Sequence, residues 1–396
     1  MIKDRYLHQN IASDLADKMV FLAGPRQVGK TTLAQLIGQK EFKQYSYLNW
    51  DSREDRSNIL NGKYRADAGL VIFDEIHKYS QWKNFVKGEY DKYKEHFKIL
   101  VTGSARLNLY RRGGDSLMGR YHYYRLHPFS MAEAVDVSNN PKPFGKLDFQ
   151  QYSQIKRPSA LAVFSALLDY GGFPEPFLKK DPRSLRRFHN QRLERLVKED
   201  IRDLEPVGDI SALQVLVEIL PSKVGSLLSL NALREDFQVS HKTMTLWMNI
   251  LERFYYHFRI YPFAAKTINS LRKEPKMYLW DWSQISDRGA RLENMAASHL
   301  LKLVHYLHDA EGYQAELYFL RDTAQREVDF LVTVGKKPWF AVEVKESQQE
   351  VSGHLKYFMA KLGIPFAYQV VGEAGVDFLK DKVRVISADK FLTGLV

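Results

Sequence analysis

Short strand-like runs, most of them apolar, recur through the first third of the chain and alternate with helical patterns. The runs lie at residues 19–23, 45–51, 70–75, 98–104 and 121–126. Apolar runs of this length bounded by polar residues are typical of buried β-strands. Strands that alternate with helices favour a parallel sheet with helices on both faces. The pattern therefore predicts an α/β fold for this part of the chain.

The middle of the chain is dominated by helical patterns. Residues 137–160 are polar and contain three prolines, which predicts a linker or a long loop. Helical patterns resume at Leu161, and residues 183–204 form a strongly basic helical stretch. This stretch fits a lid over a nucleotide, a polyanion-binding face or a solvated helix face.

Residues 227–263 show helix-turn-helix spacing. The pattern predicts a short helix, a turn capped at Ser240 and a wing strand over 255–261. Between the turn and the strand lies a second helix, whose inward residues are expected to be Leu246, Ile250 and Leu251. This second helix carries few arginines, so the spacing fits either DNA reading or the packing of domains.

A phosphate-binding motif follows the first apolar run. Residues 24–32 read GPRQVGKTT, which is G-x-x-x-x-G-K-[ST] between a predicted strand and a predicted helix. Its backbone N–H groups and the helix N-terminus are expected to point at phosphate oxygens. Lys30 would reach the β- and γ-phosphates of ATP, and Thr31 would ligate Mg²⁺. The predicted nucleotide-binding residues are Gly24, Gln27, Val28, Gly29, Lys30, Thr31 and Thr32.

Polar side chains end two further strands of the same predicted sheet. The run at 70–75 ends in Asp74 and Glu75. Asp74 is expected to hold Mg²⁺, directly or through water, and Glu75 to polarise the attacking water. In the run at 98–104, Ser104, or Thr102, lies where a polar group can contact the γ-phosphate or that water. These residues predict the catalytic part of an ATPase site.

A second group of charged residues lies near the end of the chain. Alternation places Glu327 and Asp329 on one face of a predicted strand, and Glu343 and Lys345 together on the next. A short turn at Gly335 would pair these strands. Asp329, Glu343 and Lys345 are then expected to converge on one face of a sheet.

This convergence has a possible chemistry. Two carboxylates can hold Mg²⁺ against a scissile phosphate, and a lysine can position or activate water. Glu293 lies on the apolar stripe of a predicted helix over 288–308, so its carboxylate is expected to point toward the apolar side of that helix. The alternative is an exposed sheet face in which glutamate and lysine simply pair.

Composition narrows the class of protein only slightly. The chain has 396 residues, a net charge of +11 and no cysteine. The charge weakly favours a polyanionic partner such as DNA, and the lack of cysteine excludes disulfides and thiolate metal sites. No signal peptide is evident, and no run approaches 18 apolar residues. We expect a cytoplasmic protein that does not span a membrane.

Several motifs together resemble those of a known family. The chain is similar to bacterial and archaeal AAA+-type ATPases that carry a restriction-endonuclease-like C-terminal domain. The matching motifs are GPRQVGKTT, LVIFDE, LVTGS, Gly119-Arg120, LHPFS at 126–130 and YGGFPE at 170–175. The resemblance covers nearly the whole chain and implies a winged-helix-like segment at the helix-turn-helix.

The resemblance also implies roles for particular residues. In such families an arginine often completes a neighbouring subunit's site, which here points to Arg106 or Arg120 in a homo-oligomer; either can equally be a surface cation. Asp329, Glu343 and Lys345 resemble the PD-(D/E)xK nuclease arrangement, with Asp329 and Glu343 as metal ligands. Glu293 matches the helical acid such nucleases often add. A decayed nuclease fold would keep the same residues.

These observations predict four segments and two alternative functions. The segments are an ATPase core at 1–150, a helical lid at 151–215, a winged-helix-like segment at 216–268 and a nuclease-like domain at 269–396. One function is a Mg²⁺-dependent ATPase that handles DNA through the nuclease-like domain. The alternative is a nucleotide-dependent switch or scaffold in which that domain is inactive.

Overall fold

The computed structural model describes residues 4–64, 68–104, 117–201, 209–263 and 274–396, without the side chains of 198–200. Arg106 lies outside these residues. The chain divides into two compact units, one running to His127 and including 309–311, the other comprising 128–308 and 312–396. The division falls at 127/128, earlier than the predicted boundary at 150.

The first unit is built on five parallel strands. They are β1 (Met19–Ala23), β2 (Tyr45–Asn49), β3 (Leu70–Asp74), β4 (Lys98–Gly103) and β5 (Tyr121–Arg125). Their order in the sheet is β2-β3-β4-β1-β5. A helix at His8–Asp14 precedes them, and helices at Lys30–Glu41, Arg53–Leu60 and Trp82–Tyr93 lie between them, with a 3₁₀ turn at Ile76–Lys78. The predicted α/β fold, a P-loop-type parallel sheet, is confirmed.

Alternate residues of β1 explain how one face of this sheet is covered. Met19 and Phe21 of β1 share a core with Trp82 and Val86 from the helix Trp82–Tyr93. The ring centroids of Phe21 and Trp82 are 5.8 Å apart. Successive strand side chains point to opposite faces, and all five residues of β1 are buried. Both faces of the sheet are therefore covered at this strand. This fixes the strand from which the phosphate-binding loop starts.

The second unit carries most of the helices. They lie at Met131–Ala134, Arg157–Tyr170, Pro174–Lys179, Pro182–Arg195, Ile210–Ile219, Leu230–Asp236, His241–Arg253, Arg288–Asp309, Gly353–Leu362 and Ala388–Thr393, with 3₁₀ turns at Gln151–Gln154, Leu220–Lys223 and Trp282–Gln284. The last residue of the helix Arg288–Asp309 is grouped with the first unit. The predicted basic helix over 183–204 differs from the structure at its end. It stops at Arg195 and continues as a π-helical turn over Leu196–Ile201, and residues 202–204 lie outside the described chain.

The strands of the second unit form one mixed sheet. They are β6 (His257–Pro262), β7 (Lys276–Leu279), β8 (Ala315–Arg321), β9 (Glu327–Val334), β10 (Lys337–Lys345), β11 (Phe366–Val371), β12 (Asp377–Lys380) and β13 (Val383–Ser387). Their order is β12-β13-β11-β10-β9-β8-β6-β7. β6 and β7 lie on either side of the predicted boundary at 268/269 yet are hydrogen-bonded neighbours. That boundary therefore crosses a continuous sheet.

The helix-turn-helix elements form where the spacing predicts them. Ser229 and Ser240 accept hydrogen bonds from backbone N–H groups at the starts of the two helices. Leu246 was expected to face inward, but it is 40% exposed. The buried stripe instead follows the i, i+3, i+4, i+7 spacing and comprises Met244, Trp247, Met248 and Leu251, with Ile250 beside it. The strand predicted over 255–261 is present as β6 (His257–Pro262).

Candidate functional site

The phosphate-binding loop needs glycine at its first position. Gly24 has φ of +152°, and a Cβ there would lie 2.5 Å from the carbonyl oxygen of Leu126. Gly29, the residue before the helix Lys30–Glu41, has φ of 98°. Gln27 also has a positive φ of 62°. These conformations curl the loop between β1 and the helix, as the motif requires.

Lys30 lies against its own loop. Its ammonium donates to the carbonyl oxygens of Gly24, at 3.0 Å, and Pro25, at 2.8 Å. The residue is 6% exposed. The positive charge is thus held at the loop, beside the backbone that would surround a phosphate.

Asp74 gathers three hydroxyl groups at the carboxyl ends of the strands. Its Oδ2 accepts hydrogen bonds from Thr31 Oγ1 and from Tyr47 OH, both at 2.8 Å. Its Oδ1 accepts from Thr102 Oγ1. Asp74 itself is 3% exposed. The hydroxyl and the carboxylate predicted to hold Mg²⁺ are therefore already in contact.

Sequence reasoning did not identify Tyr47. Its position follows from the register of β2 on β3. Asn49 lies opposite Asp74, and Tyr47 is two residues earlier on the same face of β2. Burial, and then the charge of Asp74, raise the pKa of Tyr47 above its ordinary value. The phenol therefore remains a hydrogen-bond donor to the carboxylate at neutral pH.

Glu75 has an unusual backbone and a perturbed carboxyl group. Its φ is 56°, in the left-handed region, and its N–H donates to the carbonyl of Thr102 at 3.0 Å. Burial raises the pKa of Glu75, although the charge of Lys30 opposes the rise. Its Oε2 lies 3.4 Å from His77 Nε2 and 3.8 Å from Lys78 Nζ. Among described side chains, that oxygen makes no hydrogen bond.

The remaining predicted residues of this unit are placed differently. Ser104 is buried and lies directly after β4. Of the two predicted residues Ser104 and Thr102, the described hydrogen bond to Asp74 comes from Thr102. Arg120 precedes β5, whose first residue is paired with Met19, the start of β1. It therefore lies at the opposite end of the sheet from its own phosphate-binding loop. There its Nε is 2.8 Å from Asp91 Oδ1.

The carboxylates of the second unit do converge. We call Glu293, Glu327, Asp329 and Glu343 the carboxylate cluster. Glu293 Oε1 accepts from Tyr278 OH at 2.7 Å, Asp329 Oδ2 accepts from the N–H of Val344 at 2.9 Å, and Glu343 Oε1 is 2.8 Å from Lys345 Nζ. The turn predicted at Gly335, which has φ of +56°, joins β9 and β10.

The proximity of the cluster members affects the pKa values of two of them. Burial, and then the charge of Asp329, raise the pKa of Glu293 and that of Glu343. Glu343 is 6% exposed, and its Oε2 has no hydrogen-bond partner among described residues. The convergence expected from strand alternation is thus present in the structure.

A lysine absent from the sequence prediction lies inside this cluster. Lys276 Nζ is 2.7 Å from Glu327 Oε1, 3.4 Å from Asp329 Oδ1 and 3.6 Å from Glu293 Oε1. Burial would lower the pKa of Lys276, but the surrounding carboxylates raise it above its ordinary value. The only sequence signal was a lysine that opens an apolar strand.

The two sites differ in how they fit a metal ion. Thr31 and Asp74 suit Mg²⁺, which takes few protein ligands when phosphates supply the others. At the carboxylate cluster, the ammonium of Lys276 lies within 3.6 Å of three of the four carboxylates. Among described residues, no three histidine, aspartate or glutamate side chains are arranged to hold a metal. Lys276 has no ion pair with Glu343 among the described contacts, so the expectation that Asp329 and Glu343 ligate a metal stays a prediction.

The fold and the arrangement around Lys30 and Asp74 define the first unit as a P-loop ATPase domain. Comparison with protein families agrees, because residues 16–135 match the model described as "AAA domain". Residues 161–286 and 288–391 match two domains of unknown function, DUF8612 and DUF4143. Residues 16–135 thus match a AAA-type ATPase domain, whereas the restriction-endonuclease-like assignment of the C-terminal region stays a prediction.

Relatives of similar organisation occur in archaea and bacteria. The chain is 25% identical over 361 residues to uncharacterized protein MJ1544 of Methanocaldococcus jannaschii, covering 85% of this chain and 77% of the relative. It is 22% identical over 400 residues to uncharacterized protein Rv2008c of Mycobacterium tuberculosis, covering 95% and 81%. These similarities name no activity.

Among solved structures, the RuvB Holliday junction branch migration motor of Thermotoga maritima is similar at a TM-score of 0.33. Its identity is 19%, and the match covers 64% of this chain and 87% of that one. At this TM-score the similarity supports no argument about function. Within the described ranges, no helix combines the length and the apolar character needed to cross a membrane.

Proposed function

We propose that this protein is a Mg²⁺-dependent ATPase whose catalytic residues are Lys30, Thr31, Asp74 and Glu75. The observation that carries the proposal is the contact of Thr31 with Asp74 at 2.8 Å, beside a lysine held on a curled glycine loop. This is the set of groups that P-loop ATPases use to position phosphates and water.

Each residue has a defined task in this proposal. Lys30 exchanges the carbonyls of Gly24 and Pro25 for phosphate oxygens of ATP. Thr31 and Asp74 hold Mg²⁺, which when bound offsets the charge of the β- and γ-phosphates. Glu75, whose pKa is raised by burial, accepts a proton from or orients the attacking water. Thr102 keeps the Asp74 carboxylate in place.

Two substitutions and one control test this proposal. Lys30→Ala is expected to abolish binding of a fluorescent ATP analogue, since it removes the charge facing the phosphates. Glu75→Gln is expected to bind ATP normally and to release phosphate roughly 10²-fold more slowly. Lys40→Ala, an exposed lysine of the same helix paired with Asp4, is expected to change neither. Normal turnover in Glu75→Gln would remove Glu75 from the catalytic role.

We also propose DNA as a partner that stimulates this ATPase. The supporting observation is the paired helices Leu230–Asp236 and His241–Arg253, the second of which exposes Lys242. Helix-turn-helix modules place such a second helix against DNA, and the net charge of +11 favours a polyanion.

Turnover with and without DNA separates this proposal from its alternative. Stimulation by single- or double-stranded DNA, reduced in Lys242→Ala and kept in Lys40→Ala, is the expected result. If no DNA form changes turnover, the nucleotide-dependent switch becomes the better description. In that case the second unit serves as a scaffold that responds to nucleotide.

A further inference from the structure

The carboxylate cluster already contains a cation supplied by the protein itself. The side chain of Lys276 is 4% exposed and reaches three members of the cluster within 3.6 Å. A divalent metal binds carboxylate oxygens at roughly 2.0–2.6 Å. The ammonium and such an ion would therefore compete for the lone pairs of these oxygens and would repel each other at this distance.

The backbone around Lys276 is fixed by neighbouring segments. In the antiparallel pairing of β6 and β7, Lys276 lies opposite Ile260, and an isolated bridge joins it to Leu227 on its other side. The N–H of Leu228 donates to the carbonyl of Pro275 at 2.8 Å. Since both neighbours of the strand hold it, Lys276 is presented by a sheet and not by a free loop.

The strand β7 presents a second side chain to the same place. Lys276 and Tyr278 are two residues apart and so share a face of the strand. The tyrosine hydroxyl donates to Glu293 Oε1 at 2.7 Å, the oxygen from which Lys276 Nζ lies 3.6 Å. Gly225, with φ of +75°, lies on the far side, where a Cβ would be 3.3 Å from both oxygens of Glu293. The carboxylate of Glu293 therefore has protein groups from β7 and from Gly225 beside it, although its side chain is 21% exposed.

Charge within the cluster is nearly balanced without a metal. Its four carboxylates face three cations. Lys345 pairs with Glu343 and Arg321 with Glu327, while Lys276 lies near Glu327, Asp329 and Glu293. Both oxygens of Asp329 are also occupied, one near Lys276 and one by the N–H of Val344. Buried carboxylates are stable when paired in this way.

We propose that Lys276 is a built-in counter-ion that replaces a divalent metal in the carboxylate cluster, so that this site does not support metal-dependent cleavage of nucleic acid. The proposal concerns only the second unit and does not rest on ATP hydrolysis. It predicts that the side chain of Lys276 alone prevents a metal ion from binding in the cluster. Removing that side chain should expose an acidic site able to bind a divalent ion.

The test uses the full-length chain without nucleotide and Mn²⁺ alone as the probe. Free Mn²⁺ is measured by electron paramagnetic resonance, and the melting temperature is recorded with and without Mn²⁺. We expect Lys276→Met to bind one additional Mn²⁺ at least tenfold more tightly than the wild type and to be stabilised by it. The double variant Lys276→Met/Asp329→Asn should lose this gain.

Two controls separate loss of the ammonium from a general effect of substitution. Lys276→Arg keeps a cation in the cluster and is expected to bind no additional Mn²⁺. Lys356→Met removes an exposed lysine paired with Asp381 and should behave as the wild type. ATP turnover, measured on the same proteins, is expected to be unchanged, so a failure here is distinct from a failure of the ATPase assignment.

Two results would overturn the proposal. One is a wild-type protein that binds Mn²⁺ as tightly as Lys276→Met and loses this binding in Asp329→Asn. The other is a folded Lys276→Met that binds no additional Mn²⁺. If Lys276→Met folds only when Mn²⁺ is present, the ion has taken over the role of the lysine, which supports the proposal. If Lys276→Met does not fold at all, the wild type decides. Binding of Mn²⁺ by the wild type that depends on Asp329 overturns the proposal. If the wild type shows no such binding and Lys276→Arg binds no additional Mn²⁺, the proposal is supported.

Discussion

The hydroxyl of Thr102 donates a hydrogen bond to Oδ1 of Asp74 across the adjacent strands β3 and β4, in which these two residues are directly paired. This bond leaves Oδ2 of the carboxylate to Thr31 and Tyr47. Thr102 is fully buried, so water cannot replace its hydroxyl. The orientation of the predicted Mg²⁺ ligand therefore depends on a residue of the neighbouring strand.

Thr102→Val is expected to lower ATP turnover about tenfold while changing ATP affinity much less. Valine keeps the shape of threonine but leaves Asp74 Oδ1 without its donor, which costs about 1–3 kcal/mol in a buried site. Phosphate release and binding of a fluorescent ATP analogue check the two parts. Thr333→Val is the matched control, because Thr333 is fully buried and its hydroxyl has no hydrogen-bond partner among described residues. Equal turnover in the two variants would contradict the role of Thr102.

Arg120 provides a test of assembly. It lies at the end of the sheet away from its own phosphate-binding loop, so it can act on ATP only in a neighbouring subunit. If it does, Arg120→Ala should keep ATP affinity and lower turnover by roughly 10³-fold or more, as for other arginine fingers. Mixing wild-type with Glu75→Gln subunits should then lower activity non-linearly.

The alternative for Arg120 is a local ion pair with Asp91. In that case Arg120→Ala and Asp91→Ala should both leave turnover intact and change stability little, because exposed ion pairs contribute little to stability. Arg53→Ala, another exposed arginine of this unit, serves as the control for both. A strictly monomeric protein with full turnover would rule out action in trans.

The residues that could be predicted from the sequence are those whose role follows from local spacing. The glycine loop, Thr31, Asp74 and the alternation of Asp329 and Glu343 all depend on neighbours along the chain, and the structure places them as expected. The parallel sheet follows from the repeated strand and helix patterns. Local rules are sufficient here because a motif and its flanking elements are contiguous.

The residues that were missed depend on pairing between distant segments. Tyr47 reaches Asp74 through the register of β2 on β3, and Lys276 reaches the carboxylate cluster through the pairing of β7 with β6. Neither register can be derived from one strand alone. Leu246 shows the same limit within a helix, since which stripe is buried depends on what packs against it.

Gly172 lies where the motif YGGFPE meets Phe129 of the motif LHPFS. The N–H of Phe129, in LHPFS, donates to the carbonyl of Gly172, in YGGFPE, at 2.7 Å. A Cβ on Gly172 would lie 2.6 Å from the carbonyl oxygen of Phe129 and 2.7 Å from the ring of Trp282. The backbone oxygen cannot move aside without breaking this contact.

Gly172→Ala is therefore expected to destabilise the protein by about 1–3 kcal/mol, as overpacking usually does. Urea unfolding followed by tryptophan fluorescence measures the change. Gly88→Ala is the control, because nothing lies within 4 Å of a Cβ there and the residue is inside the helix Trp82–Tyr93. In that position alanine should stabilise by about 0.5–1 kcal/mol. A neutral Gly172→Ala would show that the two motifs can separate without cost.

His299 predicts how stability responds to acid. Its Nδ1 lies 2.7 Å from the carbonyl of Met295, and its Nε2 accepts from the N–H of Met131 at 2.9 Å. The ring must be neutral, because a proton on Nε2 would face that donor. Burial lowers the pKa of His299 to about 4 from its ordinary 6.5; the charge of nearby Lys302 adds to this, while the bond to Met295 and the charge of Glu133 oppose it.

Because the folded state resists protonation of His299, the unfolded state binds more protons between pH 6.5 and 4, and stability must fall as the pH is lowered through this range. From pH 7.5 to 5 the loss attributable to this one group is about 2 kcal/mol. His299→Gln keeps an acceptor for Met131 but cannot titrate, so it should be less stable at neutral pH and lose less on acidification. His241→Gln, at an exposed histidine, should keep the wild-type slope. Urea unfolding at a series of pH values provides the comparison. Parallel slopes for the wild type and His299→Gln would show that the acid sensitivity arises from other groups. One such group is the buried His257, whose pKa burial also lowers to about 4.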